Sequence, residues 1–160
     1  MPKESVRIPF YDQGLRFSCA RCSVCCRFES GFVFLSEKDI SLLISALNTN
    51  YEEFTETYCR WIPAENGELK LSLKEKTNYD CVFWASRPAE GCMVYDARPL
   101  QCRAFPFWAS IVDDVNNWEE AAQDCPGMGK GMLYSKGAIQ NWLSMREKEP
   151  IIIRTLRGVS

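Results

Sequence analysis

The amino-acid sequence predicts a small α+β fold, a single domain over 1–160 with short strands and peripheral helices arranged around a cysteine-rich site. Three observations carry that expectation. A helical hydrophobic period follows Ser36, a strict leucine alternation runs through "ELKLSL" at 68–73, and nine cysteines occur in a chain without histidine. At 160 residues the chain can bury roughly 70% of its unfolded surface. It therefore needs no disulfides to hold a core together.

The elements follow in order. Ser36 is a capping residue with Asp39 three positions on, and Ile40, Leu43, Ile44 and Leu47 then recur at helical spacing. The stretch "YEEFTETYCRW" puts Phe54, Tyr58 and Trp61 on one helical face, with Cys59 as a small, partly buried thiol on that helix. Leu69, Leu71 and Leu73 alternate as a half-buried strand does, and the "ENG" before them is turn chemistry that pairs the strand with "RWIP". "CVFWA" and "CMVY" read as short strands, each opening with a cysteine. "FWASIVDD", a turn at "VNN" and "WEEAA" make a hairpin whose second half reads equally as helix. "PGMGKG" lacks the spacing of a phosphate loop and is expected to pack near the thiols. "SKGAIQNWLSMREKE" closes the domain as a helix over about 135–148, with Ile139, Trp142, Leu143 and Met145 largely inward.

Charge and hydropathy narrow the function. A net charge of −2 with no long basic stretch argues against nucleic acid. No segment approaches the ~20 apolar residues of a membrane span, and "MPKESVRIPFYDQGLRF" has no apolar run of signal-peptide length. A cytoplasmic, reducing location is the expectation. There, clustered cysteines are more often metal-binding or catalytic than disulfide-bonded. The odd count of nine also argues against a closed set of bridges.

With Cys59 set aside, eight cysteines remain. Cys19, Cys22, Cys25 and Cys26 lie in a C-x2-C-x2-C-C run, while Cys81, Cys92, Cys102 and Cys125 are dispersed. Two intervening residues let a tight turn close on one metal ion or cluster. Adjacent residues project divergently, so Cys25 and Cys26 can serve different metals, or one can bind while the other supports. Without histidine, a zinc site would be all-sulfur or completed by carboxylate or water. The C-x2-C-x2-C opening and the remote Cys125-Pro126 echo a bacterial ferredoxin arrangement, which leans toward an iron–sulfur cluster. Cys26 interrupts that pattern, and all-cysteine sites suit zinc equally. Such thiolate sites gather negative charge that a partly dry environment must balance. Arg21, Arg27 and Arg103 each stand within two residues of a cysteine, and Arg98 shortly precedes Cys102. Arg98 and Arg103 are the expected supports because both fall in the block "CMVYDARPLQCRAFPF", which carries a family resemblance: the guanidinium of Arg98 or Arg103 should point at the thiolates or brace the backbone carrying Cys92 and Cys102.

The cysteine run together with "CMVYDARPLQCRAFPF" resembles the YkgJ-type cysteine-cluster family, small bacterial proteins described as zinc- or iron-chelating domains. The likeness covers about Phe17 to Cys125 and includes the paired cysteines, Cys92 to Tyr95, Arg98-Pro99, Cys102-Arg103 and Phe105-Pro106-Phe107. It implies that Cys19, Cys22, Cys25, Cys26, Cys81, Cys92, Cys102 and Cys125 form the chelating set. Ser23 stands where the family often has glycine, which departs from a positive-φ turn there. A similar cluster occurs in flagellin lysine-N-methylases, where an iron–sulfur centre is implied. This chain lacks the C-x3-C-x2-C run of radical S-adenosylmethionine enzymes and an adenosyl-binding glycine motif. Three expectations follow. The first is a chelator of iron, as an iron–sulfur cluster, or of zinc, for metal handling, electron transfer or support of a protein partner. The second is an iron–sulfur-dependent redox or methylase-like enzyme component. The third is a structural zinc module that presents an interaction surface.

Overall fold

The computed structural model describes residues 7–19, 31–86 and 91–155. Strand β1 (Leu15–Phe17) precedes helices α1 (Glu37–Leu47) and α2 (Tyr51–Tyr58). Strands β2 (Cys59–Pro63), β3 (Glu68–Leu73), β4 (Trp84–Ala85) and β5 (Gly91–Cys92) follow. A 3-10 turn at Tyr95–Ala97 leads into helices α3 (Leu100–Ala104), α4 (Ala109–Val112) and α5 (Val115–Ala122). Strand β6 (Met132–Tyr134), helix α6 (Lys136–Lys148) and strand β7 (Ile153–Thr155) complete the series. This is a small α+β fold, with its strands in separate small sheets. The chain divides into two compact units, one of Met1–Cys22 with Pro106–Ser144 and one of Ser23–Phe105 with Met145–Ser160.

In the unit around Ser23–Phe105, α1 begins where the sequence places it. The Ser36 hydroxyl accepts the Asp39 N–H, and the Asp39 carboxylate accepts the Ser36 N–H, so each orphan donor at the helix start is satisfied. Ile40 and Leu43 are buried, Ile44 and Leu47 partly so. They share a core with Leu35, Phe54, Leu71, Leu73, Phe83 and Val94. The expected hairpin is present: β2 and β3 pair antiparallel, Trp61 opposite Leu71, around a turn in which Gly67 takes φ 76°. β7 adds to the other edge of β3. β3 is thus central, and Ser72 is buried along with its alternating leucines. One expectation is corrected here. Helix α2 stops at Tyr58, and Cys59 and Trp61 belong to β2 instead of continuing the helical face. Pairing of "CRWIP" with β3 outcompetes the helical period, since it satisfies a whole run of backbone groups.

The two strands expected to open with a cysteine are corrected: a turn separates Cys81 from β4 (Trp84–Ala85), and β5 (Gly91–Cys92) ends on its cysteine, with Met93 and Val94 in a turn. β4 pairs with β5, Trp84 opposite Cys92, and Cys81 forms an isolated bridge with Glu75. In the unit around Pro106–Ser144, β1 pairs with β6, and Phe107 meets Phe17, Trp118 and Tyr134 at ring separations of 6.2, 6.3 and 4.9 Å. The expected hairpin at 107–122 is absent. Both halves are helical, because Asp114 caps α5 by accepting the Asn116 N–H and the buried Ile111, Val112 and Trp118 fall at helical spacing. Helix α6 matches its expected span and buries Ile139 completely. Among the described residues no helix is long and apolar enough to cross a membrane.

Candidate metal centre

Cys22, Cys25 and Cys26, with Arg21 and Arg27, lie outside the described residues. Among the described residues no three cysteine, aspartate or glutamate side chains stand together as a metal site. The remaining expected ligands divide between the two units, Cys19 and Cys125 in one, Cys81, Cys92 and Cys102 in the other.

In the first unit, Cys19 is exposed directly after β1, and Cys125 is half-buried at the turn that opens "PGMGKG". The loop packs on the strand leading to Cys19. The Ser18 N–H donates to the Gly127 carbonyl at 3.1 Å, and the Gly129 N–H donates to the Arg16 carbonyl at 2.8 Å. A Cβ at Gly127 would collide with the Ser18 carbonyl oxygen, which is why the approach of the Cys125 turn to Ser18 requires glycine. The loop expected near the thiols therefore lies beside the residue before Cys19, and it holds no strand-to-helix phosphate geometry.

In the second unit, Cys81 and Cys92 are half-buried against the apolar core, and Cys102 is half-buried within α3. Two side chains tie their segments to the residues just after the cysteine run. Glu75, the bridge partner of Cys81, accepts the Gly31 N–H at 3.2 Å and pairs with Arg60, which itself donates to the Gly31 carbonyl. Gln101, next to Cys102, accepts the Phe34 N–H at 3.1 Å and donates to the Phe32 carbonyl at 2.6 Å. Neither Glu75 nor Gln101 was evident in the sequence as part of a site. Both are single polar residues whose partners lie far away along the chain.

The two expected supporting arginines are half-buried and brace backbone between Cys92 and Cys102. Arg98 Nε donates to the Tyr95 carbonyl at 2.8 Å while its guanidinium stacks 3.9 Å from the Tyr95 ring centre. Arg103 Nε donates to the Arg98 carbonyl at 2.9 Å. Pro99 is fully buried, and Arg98 before it is extended at φ −54° and ψ 142°, as proline requires of its predecessor.

Cys59 has a different environment. It is 5% exposed within the core, and burial pushes its thiol up to about 12, with Lys74 opposing. A thiol held protonated is a poor metal donor. Because the folded value lies above the ordinary 9.0, stability should fall as pH rises from about 9 to about 12. Cys59→Ala should remove that alkaline loss, leave bound metal unchanged and cost on the order of 1 kcal/mol of packing. Denaturant melts of both proteins across this pH range, with metal analysis, test it. Metal loss in Cys59→Ala equal to that in Cys22→Ser would make Cys59 a ligand.

The donor set left by these observations is thiol sulfur without imidazole, chemistry that fits zinc or iron. A small α+β chain that carries such donors falls in the class of cysteine-based chelating proteins. A family model described as "Putative zinc- or iron-chelating domain", with the signature CxxCxxCC, matches residues 18–126, and the chain belongs to that family. The chain is also similar to the uncharacterized protein MJ0661 of Methanocaldococcus jannaschii, at 25% identity over 111 residues, covering 69% of this chain and 56% of the relative. It thus spans about half the length of that curated relative. No solved structure matches.

Proposed function

We propose that this chain chelates iron, as an iron–sulfur cluster, or zinc through Cys19, Cys22, Cys25, Cys26, Cys81, Cys92, Cys102 and Cys125. The observation that carries the reading is the pair of side-chain ties from Glu75 to Gly31 and from Gln101 to Phe32 and Phe34. They join the segments of Cys81 and Cys102 to residues 31–34, which follow the cysteine run in the sequence. Arg98 and Arg103 support the centre by fixing the backbone between two of its ligands. Bound metal would serve metal handling, electron transfer or the support of a protein partner, in the reducing cytoplasm where thiols persist.

The ferredoxin-like spacing favours iron–sulfur. Anaerobic purification followed by metal and sulfide analysis and a visible spectrum decides between the metals. Iron, acid-labile sulfide and a visible sulfur-to-iron charge-transfer band support the first metal. Stoichiometric colourless zinc supports the second. Protein free of both, with intramolecular disulfides under reducing conditions, would overturn chelation altogether.

A second reading, a zinc-stabilised interaction module, gains support from one surface feature. Phe32, Phe34, Ile62, Pro63 and Ile153 line an open groove of about 590 Å³ on the β2–β3–β7 sheet, with Phe32 and Ile153 46% and 47% exposed. Exposed apolar surface of this kind suits a protein partner. A methylase-like enzyme component, the remaining reading, would require affinity for a methyl-donor cofactor, which equilibrium binding measures directly.

A further inference from the structure

Arg103, the neighbour of Cys102, stands between two buried carboxylates. Its Nη2 atom is 3.7 Å from Asp39 Oδ1 and 3.8 Å from Glu149 Oε1. Asp39 is fully buried, and Glu149 is 7% exposed. Arg146 faces the same pair. It donates to the Glu149 carbonyl at 3.3 Å, and burial lowers its proton affinity while Asp39 and Glu149 both raise it. The four side chains together are formally neutral.

Glu149 is the costly member. Neither of its carboxylate oxygens accepts a hydrogen bond among the described residues, and Arg103 Nη2 donates none. Burying a carboxylate without hydrogen bonds is unfavourable, and the cost is offset here by the opposite charges of Arg103 and Arg146. Without Glu149, two guanidinium groups would share Asp39 alone. Among the described residues Arg103 would then keep only Asp39 and the Arg98 carbonyl, a looser hold that gives it more freedom to turn toward solvent.

That freedom would reach Cys102. Helix α3 has only five residues, far fewer than a helix needs to persist by itself. Its geometry comes from outside. The Leu100 N–H donates to Asp39, Gln101 reaches Phe32 and Phe34, and Arg103 is held by Arg98, Asp39 and Glu149. Cys102 sits between these anchors. Glu149 lies beyond the 18–126 stretch that the family model matches, so this anchor comes from the chain's C-terminal segment.

We propose that Glu149 is a positioning residue of the metal centre, holding Arg103 and through it the orientation of Cys102. The inference rests on Cys102 being a ligand. Groups that orient ligands typically change metal affinity about 10- to 100-fold when removed. The test measures metal release from the full-length, metal-loaded protein to a chromogenic chelator, for wild type, Glu149→Gln, Arg103→Gln and the double variant. Leu69→Ala, at the far end of the hairpin opposite Pro63, serves as a control of lowered thermal stability. Glu149→Gln should release metal about 10-fold faster or more, and Leu69→Ala at the wild-type rate. The double variant should be no faster than Arg103→Gln alone, because Glu149 acts through Arg103. Release from Glu149→Gln at the wild-type rate, or no faster than from Leu69→Ala, overturns the proposal, as do additive effects in the double variant. Wild-type protein that holds no metal would instead overturn the chelation reading, and this inference with it.

Discussion

Removing the metal under reducing conditions is expected to unfold much of the chain. The reason lies in how little the segments carrying the proposed ligands can do alone. β4 and β5 have two residues each and α3 has five, lengths at which neither sheet nor helix is self-sustaining. Metal binding to thiolates contributes about 10–16 kcal/mol in small zinc peptides. A whole domain is stable by only about 5–15 kcal/mol. The loss should also be uneven. The core residues Leu35, Ile40, Leu43, Phe54 and Leu71 are apolar and none is a proposed ligand, so amides of the β2–β3 hairpin should outlast those of 81–86 and 91–104. Hydrogen exchange and circular dichroism before and after chelation, with reconstitution by zinc or by iron and sulfide, measure this. An unchanged melting temperature after complete metal removal would show that the metal is not structural.

Asp39→Ala should destabilise the protein by about 3–5 kcal/mol, the range for removing one partner from a buried ion pair. Asp39 is fully buried and performs three tasks at once. Oδ2 accepts the Ser36 N–H at 2.9 Å, Oδ1 accepts the Leu100 N–H at 2.9 Å, and Oδ1 also faces Arg103. Alanine would leave two backbone donors buried without partners and a guanidinium with one countercharge fewer. Asp39→Asn keeps one of the two acceptor oxygens, its amide nitrogen facing the other N–H as a second donor, and should lose less than alanine but still destabilise. Equilibrium denaturation reads both. A loss in Asp39→Ala of no more than about 1 kcal/mol, the usual value of a helix cap alone, would show that the links to Leu100 and Arg103 contribute little.

Asp39 also marks the boundary between what was local and what was not. Its capping role was visible in the sequence, because Ser36 and Asp39 satisfy each other within one helical turn and need no other part of the chain. The β2–β3 hairpin was visible for the same reason, its turn residues and leucine alternation being adjacent. The cysteine run and the block from Cys92 to Phe107 likewise identified the family by themselves. Tertiary structure decided the rest. "CRWIP" left its helix because β3 offered a full ladder of hydrogen bonds, and β1, β6 and β7 are three-residue strands whose pairing depends on distant partners. The second partner of Asp39, the countercharge from Glu149 and the anchoring by Glu75 and Gln101 all join residues far apart along the chain. A single buried carboxylate or amide leaves no periodic mark in a sequence, since its worth depends entirely on which polar group the fold brings to it.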